Sequence, residues 1–165
     1  MLCVADGEGR NSVWLATQAL KVDAFDVSPI GVQKARELAA EQGVTVDLTV
    51  ADCDSYSWQQ DAYDGVAAIF IQFADPAMRS RIFNRAVRSL KPGGTLILQG
   101  YTPKQLEYGT GGPGIASHLY TEAMLREAFH ALDIVELREY EAEVHEGNGH
   151  SGRSALVGLV GSRRA

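Results

Sequence analysis

The chain has 165 residues, 45% of them hydrophobic and 22% charged, with a net charge of −6. That length and balance fit one soluble domain with a real core, covering residues 1–165. The acidic balance argues against tracking nucleic-acid phosphates, and no apolar run approaches the roughly 18 residues of a membrane span. Met1–Gly7 has neither the basic start nor the apolar stretch of a signal peptide. Cys3 and Cys53 are too few for a disulfide framework, so both read as core thiols of a cytoplasmic protein.

Strand-like and helix-like segments alternate along most of the chain, the pattern of a doubly wound α/β sheet. Met1–Ala5 reads as a first strand, and Asn11–Leu20 as a helix with Val13, Ala16 and Leu20 on one side. Val22–Val27 is a second strand. Ser28 caps the next helix, Pro29 suits its first position, and Gly43 lies past its end. Val44–Val50 and Gly65–Ile71 are further strands. Asp75-Pro76 opens a helix through about Leu90, and Lys91-Pro92-Gly93-Gly94 turns the chain into a strand at Thr95–Gln99. Thr121 caps a last helix, Glu122–Ala131. Ile134–Val144 and Ala155–Val160 then follow with no helix between them, which requires an antiparallel hairpin.

The candidate site residues cluster at the carboxyl ends of the strands, where open α/β sheets bind ligands. In Ala5-Asp6-Gly7-Glu8-Gly9-Arg10-Asn11, the glycines let backbone approach a ligand and the following helix N-terminus favours an anionic group. Asp26 ends the second strand at the spacing of a ribose-binding acid, although a capping role beside Ser28 is the plainer alternative. Asp52, beside Cys53, offers an acceptor to an adenine amino group or simply ends its strand. Gln72 follows the fourth strand. The long loop Tyr101–Pro113, with Gln105, Tyr108, Thr110 and three glycines, reads as a polar lid or as a plain surface loop. His145 and His150 flank Glu146 in a Gly-rich loop, where exposed histidine is commoner than a metal site, so no metal is expected.

These residues resemble the class I S-adenosylmethionine-dependent methyltransferases, most nearly the small bacterial group related to tellurite-resistance and thiopurine methyltransferases. The resemblance rests on Ala5–Asn11, Phe25-Asp26-Val27-Ser28, Leu90–Gly94, Gln105–Pro113 and Glu146–His150, and covers nearly the whole chain. It implies a seven-stranded sheet closed by the final hairpin. It also implies S-adenosyl-L-methionine as cofactor, held by Ala5, Asp6, Gly7, Gly9, Arg10, Asn11, Asp26, Val27, Ser28, Asp52, Cys53 and Ile69. The methyl acceptor would be a small molecule such as a thiol or metalloid oxyanion, near Gln72, Gln105, Tyr108, Thr110 and His150.

Two departures stand out. Cys3 replaces an acidic residue that helps hold the methionine ammonium, and Ala5 stands where relatives have Gly. Relatives of this kind also carry a helical segment ahead of the first strand, and the chain reads as lacking it. Two other readings stay open. One is a non-catalytic cofactor-binding module. The other is a nucleotide-dependent oxidoreductase, which Ser12 disfavours because a full G-x-G-x-x-G would need glycine there.

Overall fold

A computed structural model describes residues 1–145 and 151–165. The strands are β1 (Leu2–Val4), β2 (Asp23–Asp26), β3 (Asp47–Val50), β4 (Tyr63–Ile69), β5 (Leu90–Tyr101), β6 (Leu132–His145) and β7 (Ser151–Arg163). They form one seven-stranded sheet in the order β3-β2-β1-β4-β5-β7-β6. β1 to β5 pair in parallel, and β7 runs antiparallel to both β5 and β6. The expected doubly wound sheet with a terminal antiparallel hairpin is therefore present. Its hairpin inserts β7 between β5 and β6.

The helices are α1 (Arg10–Thr17), α2 (Pro29–Glu41), α3 (Pro76–Ser89), α4 (Gln105–Tyr108) and α5 (Glu122–Ala128). Side-chain caps set three of the starts. Ser28 accepts from the Gly31 amide, Asp75 from Met78 and Thr121 from Met124, as the sequence predicts. α1 starts differently. Its N-cap, Gly9, has no side chain to offer, and the Ser12 amide donates instead to Asp6 Oδ1 at 3.3 Å.

The alternation of side chains along the strands divides the core. Leu2, Val4, Val66, Ala68, Leu96 and Leu98 pack on the face covered by α3 and α5. Cys3, Ala24 and Ala67 pack with Ala16 of α1 on the other. One expected turn is built otherwise. Tyr63 pairs with Leu90 and Gly65 with Thr95, so Lys91–Gly94 loops out within β5 rather than preceding it.

Candidate functional site

The first crossover brings the Gly-rich turn against the end of β2. Asp26 Oδ2 accepts from the Gly7 amide at 2.9 Å and Oδ1 from the Ser28 amide at 2.8 Å. The carboxylate thus fixes the glycine turn and the approach to α2 together, while Ser28 does the helix capping. Each oxygen keeps a second lone pair for a ligand hydroxyl. Gly7 has φ +62°, and a Cβ there would meet no atom within 4 Å, so the space in front of it is open.

Gly9 has a different reason for being glycine. A Cβ there would lie 2.6 Å from the Ala35 Cβ, so this residue lets α1 and α2 pack together. Ala5 sits at φ +48°, the left-handed region where side chains are strained.

Asp6 is mostly buried beneath the turn. Its Oδ2 has no hydrogen-bond partner. Burial foremost, with a smaller contribution from the Asp26 charge, raises the Asp6 carboxyl to about 6. Arg10 and Asn11 are exposed on the first turn of α1.

A cavity of about 430 Å³ opens at the carboxyl edge of the sheet, lined by Ala5, Phe25, Asp26, Val27, Ala51, Asp52, Cys53, Phe73 and Met78. That volume is in the range of small-molecule sites. Five residues expected from sequence meet in it: Ala5, Asp26, Val27, Asp52 and Cys53. Asp52 Oδ1 accepts from the Asp54 and Ser55 amides, a local turn that aligns the carboxylate. Cys53 is buried, and desolvation lifts its thiol to about 11, which makes it a wall rather than a nucleophile.

Ile69 packs with Cys3 and Ala67 on the α1 side of the sheet and is not among the lining residues. The other four lining residues, Phe25, Ala51, Phe73 and Met78, are not among those the sequence singles out. Strand alternation in β2 would have put Phe25 on this face, and the Asp75 cap would have aimed Met78, in the first turn of α3, at the strand ends.

On the neighbouring side, the polar residues expected near an acceptor are bonded to the protein itself. Buried Gln72 accepts from the Tyr101 amide at 2.6 Å and donates to the Tyr101 and His118 carbonyls. Buried Gln105 accepts from the Ala155 amide at 2.8 Å and donates to Thr110 and the Gly111 carbonyl. Thr110 donates in turn to the Arg153 carbonyl at 2.7 Å. Tyr108 donates to Glu141, which also binds Lys104 and Arg153; Lys104 foremost, then Tyr108 and Arg153, lower the Glu141 carboxyl to about 2.

The loop after β5 is therefore fastened to β7 rather than free, and none of its residues is among those lining the cavity. Gly112 follows the same logic, since a Cβ there would strike the Tyr101 ring at 2.7 Å. Both glutamines serve as backbone clamps, a job their sequence positions do not distinguish from ligand contact. His150 lies outside the described residues.

A family model described as "Methyltransferase domain" matches residues 1–94, more than half of the chain. The chain belongs to this methyltransferase domain family. S-adenosyl-L-methionine is the cofactor that membership implies. An uncharacterized protein of Mycobacterium tuberculosis strain H37Rv is 30% identical over 103 residues, which cover 62% of this chain and 37% of that protein. The chain thus spans little over a third of the length of the curated relatives it matches.

Among solved structures, a SAM-dependent methyltransferase from Methanosarcina mazei superposes with a TM-score of 0.80 at 20% identity, over 99% of this chain and 91% of that one. TehB from Haemophilus influenzae gives 0.79 at 15% identity, over 99% of this chain and 57% of that one. At such identities the likeness is one of fold.

The residues present fit the cofactor. A fixed carboxylate can accept from vicinal ribose hydroxyls, the room before Gly7 is unclaimed, and apolar walls stand beside an acceptor at Asp52. Among the described residues, no helix is long and apolar enough to cross a membrane.

Proposed function

We propose that residues 1–165 form one S-adenosylmethionine-dependent methyltransferase domain of the cytoplasm, acting on a small molecule with a soft nucleophile, a thiol or a metalloid oxyanion. The observation that carries the reading is Asp26, held by the Gly7 and Ser28 amides at the wall of the 430 Å³ cavity. In this reading its remaining lone pairs accept from the ribose hydroxyls, and Ala5, Asp6, Gly7 and Val27 bound the methionine and ribose portions. Arg10 and Asn11 stand at the entrance, and Asp52 beside Cys53 receives the adenine amino group.

When bound, the cofactor supplies a methyl group activated on a sulfonium. The chain's own part is position and dryness: Asp26 and Asp52 fix the cofactor, and Phe25, Cys53, Phe73 and Met78 exclude water. A soft nucleophile needs no dedicated base.

The test is thermal unfolding with S-adenosylhomocysteine. A ligand bound only to the folded state raises the melting temperature. An unchanged transition at millimolar ligand in folded protein would remove the methyltransferase reading, and a shift with a nicotinamide nucleotide instead would favour an oxidoreductase.

A further inference from the structure

One wall of the cavity is the segment Ala51–Cys53, and the groups that hold it stand behind it. The Cys53 carbonyl takes two side-chain donors, Trp58 Nε1 at 2.9 Å and Arg85 Nη1. Trp58 stands edge-on to Phe25 and Tyr56, whose rings stack with centroids 4.0 Å apart, and Phe25 is itself a cavity wall. Arg85 comes from α3, two helical turns beyond Met78 and on the same side of the helix. Its Nη1 also donates to Asp54 Oδ1 at 2.8 Å, while Arg81 donates to Asp54 Oδ2 at 3.0 Å.

These contacts converge on Asp52. Its Oδ1 accepts from the Asp54 amide at 2.8 Å and from the Ser55 amide at 2.7 Å. The residue whose amide aims Asp52 is therefore the one whose side chain α3 grips. The Ser55 amide foremost holds the Asp52 carboxyl below its ordinary range, so the group is ionised and only accepts. Such a carboxylate suits the amino group at C6 of adenine. It opposes the carbonyl of a 6-oxopurine, whose lone pairs would face its own. That discrimination requires Asp52 to stay aimed, because a carboxylate free to swing turns away from the wrong base.

We infer that Arg85 is a positioning residue which, through the Cys53 carbonyl and Asp54, fixes Asp52 to select a 6-aminopurine over a 6-oxopurine. The inference rests on the methyltransferase reading. Arg85 is not among the residues lining the cavity and acts only through those that are.

The experiment is calorimetric binding of S-adenosylhomocysteine and S-inosylhomocysteine, which differ only at C6 and in the proton on N1. Thermal melts check that each variant is folded. The parent protein prefers the adenosyl compound by roughly tenfold or more, the scale of one well-placed polar contact against an opposed one. Arg85→Gln lowers that ratio by roughly fivefold, weakening the adenosyl compound while the inosyl compound changes little. Asp54→Ala, a change at a half-exposed side chain, lowers the ratio as well and decides the matter if Arg85→Gln does not fold. A parent that binds both compounds equally overturns the inference. So does a folded variant that keeps the parental ratio, including one that loses affinity for both compounds alike, since that marks a general loosening of the cavity. A parent that binds neither compound strikes the methyltransferase reading itself.

Discussion

Asp6→Asn isolates the electrostatic cost of the glycine turn. Asp6 uses Oδ1 to hold the Ser12 amide at the start of α1 and leaves Oδ2 buried without a partner. Burial raises its carboxyl from the usual 3.8 to about 6. In the unfolded chain the group has lost its proton by about pH 5, whereas the folded chain still binds it. Stability therefore falls as pH rises through that window. A rise of this size corresponds to roughly 3 kcal/mol by neutral pH.

Asparagine keeps an oxygen for Ser12 and cannot ionise. Its stability relative to the parent should therefore improve by about 3 kcal/mol between pH 3 and pH 7, then level off. Urea unfolding of both proteins at closely spaced pH values measures the difference. A difference that stays constant across the window would refute the reasoning, because the Asp6 carboxylate would then be reaching water or a donor.

Other substitutions test neighbouring parts of the argument. Asp26→Ala strands the Gly7 and Ser28 amides as well as the ligand hydroxyls. It should weaken S-adenosylhomocysteine binding by roughly 1–3 kcal/mol and also lower stability, as calorimetry and denaturant melts would show. Ala5→Gly relieves the left-handed strain at φ +48° and should stabilise the fold by roughly 1 kcal/mol; a loss of stability would mean the strain is not there. Gln105→Ala leaves the Ala155 amide unpaired and releases Thr110 and Gly111. It should cost roughly 1–3 kcal/mol and speed amide exchange in the loop after β5 while the β1–β4 amides stay protected.

Much of the frame was legible because local chemistry repeats it. Ser28-Pro29, Asp75-Pro76 and Thr121 mark helix starts by capping, a contact between residues a few positions apart. The hairpin was legible because nothing helical separates its strands. Asp26 was singled out by its place at a strand end, but that place suits both a ligand contact and a turn clamp, and the geometry gives it the clamp while leaving lone pairs free. The glutamines could not be read. Gln72 meets residue 101 and Gln105 meets residue 155, and no local pattern signals a partner that far along the chain. Gly7 and Gly9 look alike in sequence and differ only through Ala35, which α2 brings against one of them.

The place of β7 has a consequence for how the protein is made. Among the described residues it comes last of the seven strands in chain order, and there it alone links β5 and β6 in the sheet. While the chain emerges from the ribosome, β5 presents a long raw edge and β6 has no berth at all. That edge can recruit strands from other nascent chains. The halves of the sheet mature on different clocks: β1 to β5 can assemble as they are translated, whereas the final hairpin must dock as a unit across a large sequence separation, a slow kind of closure. Removing Ala155–Arg163 would therefore cost the protein β6 as well, and the expected product is an aggregating chain rather than a smaller folded one.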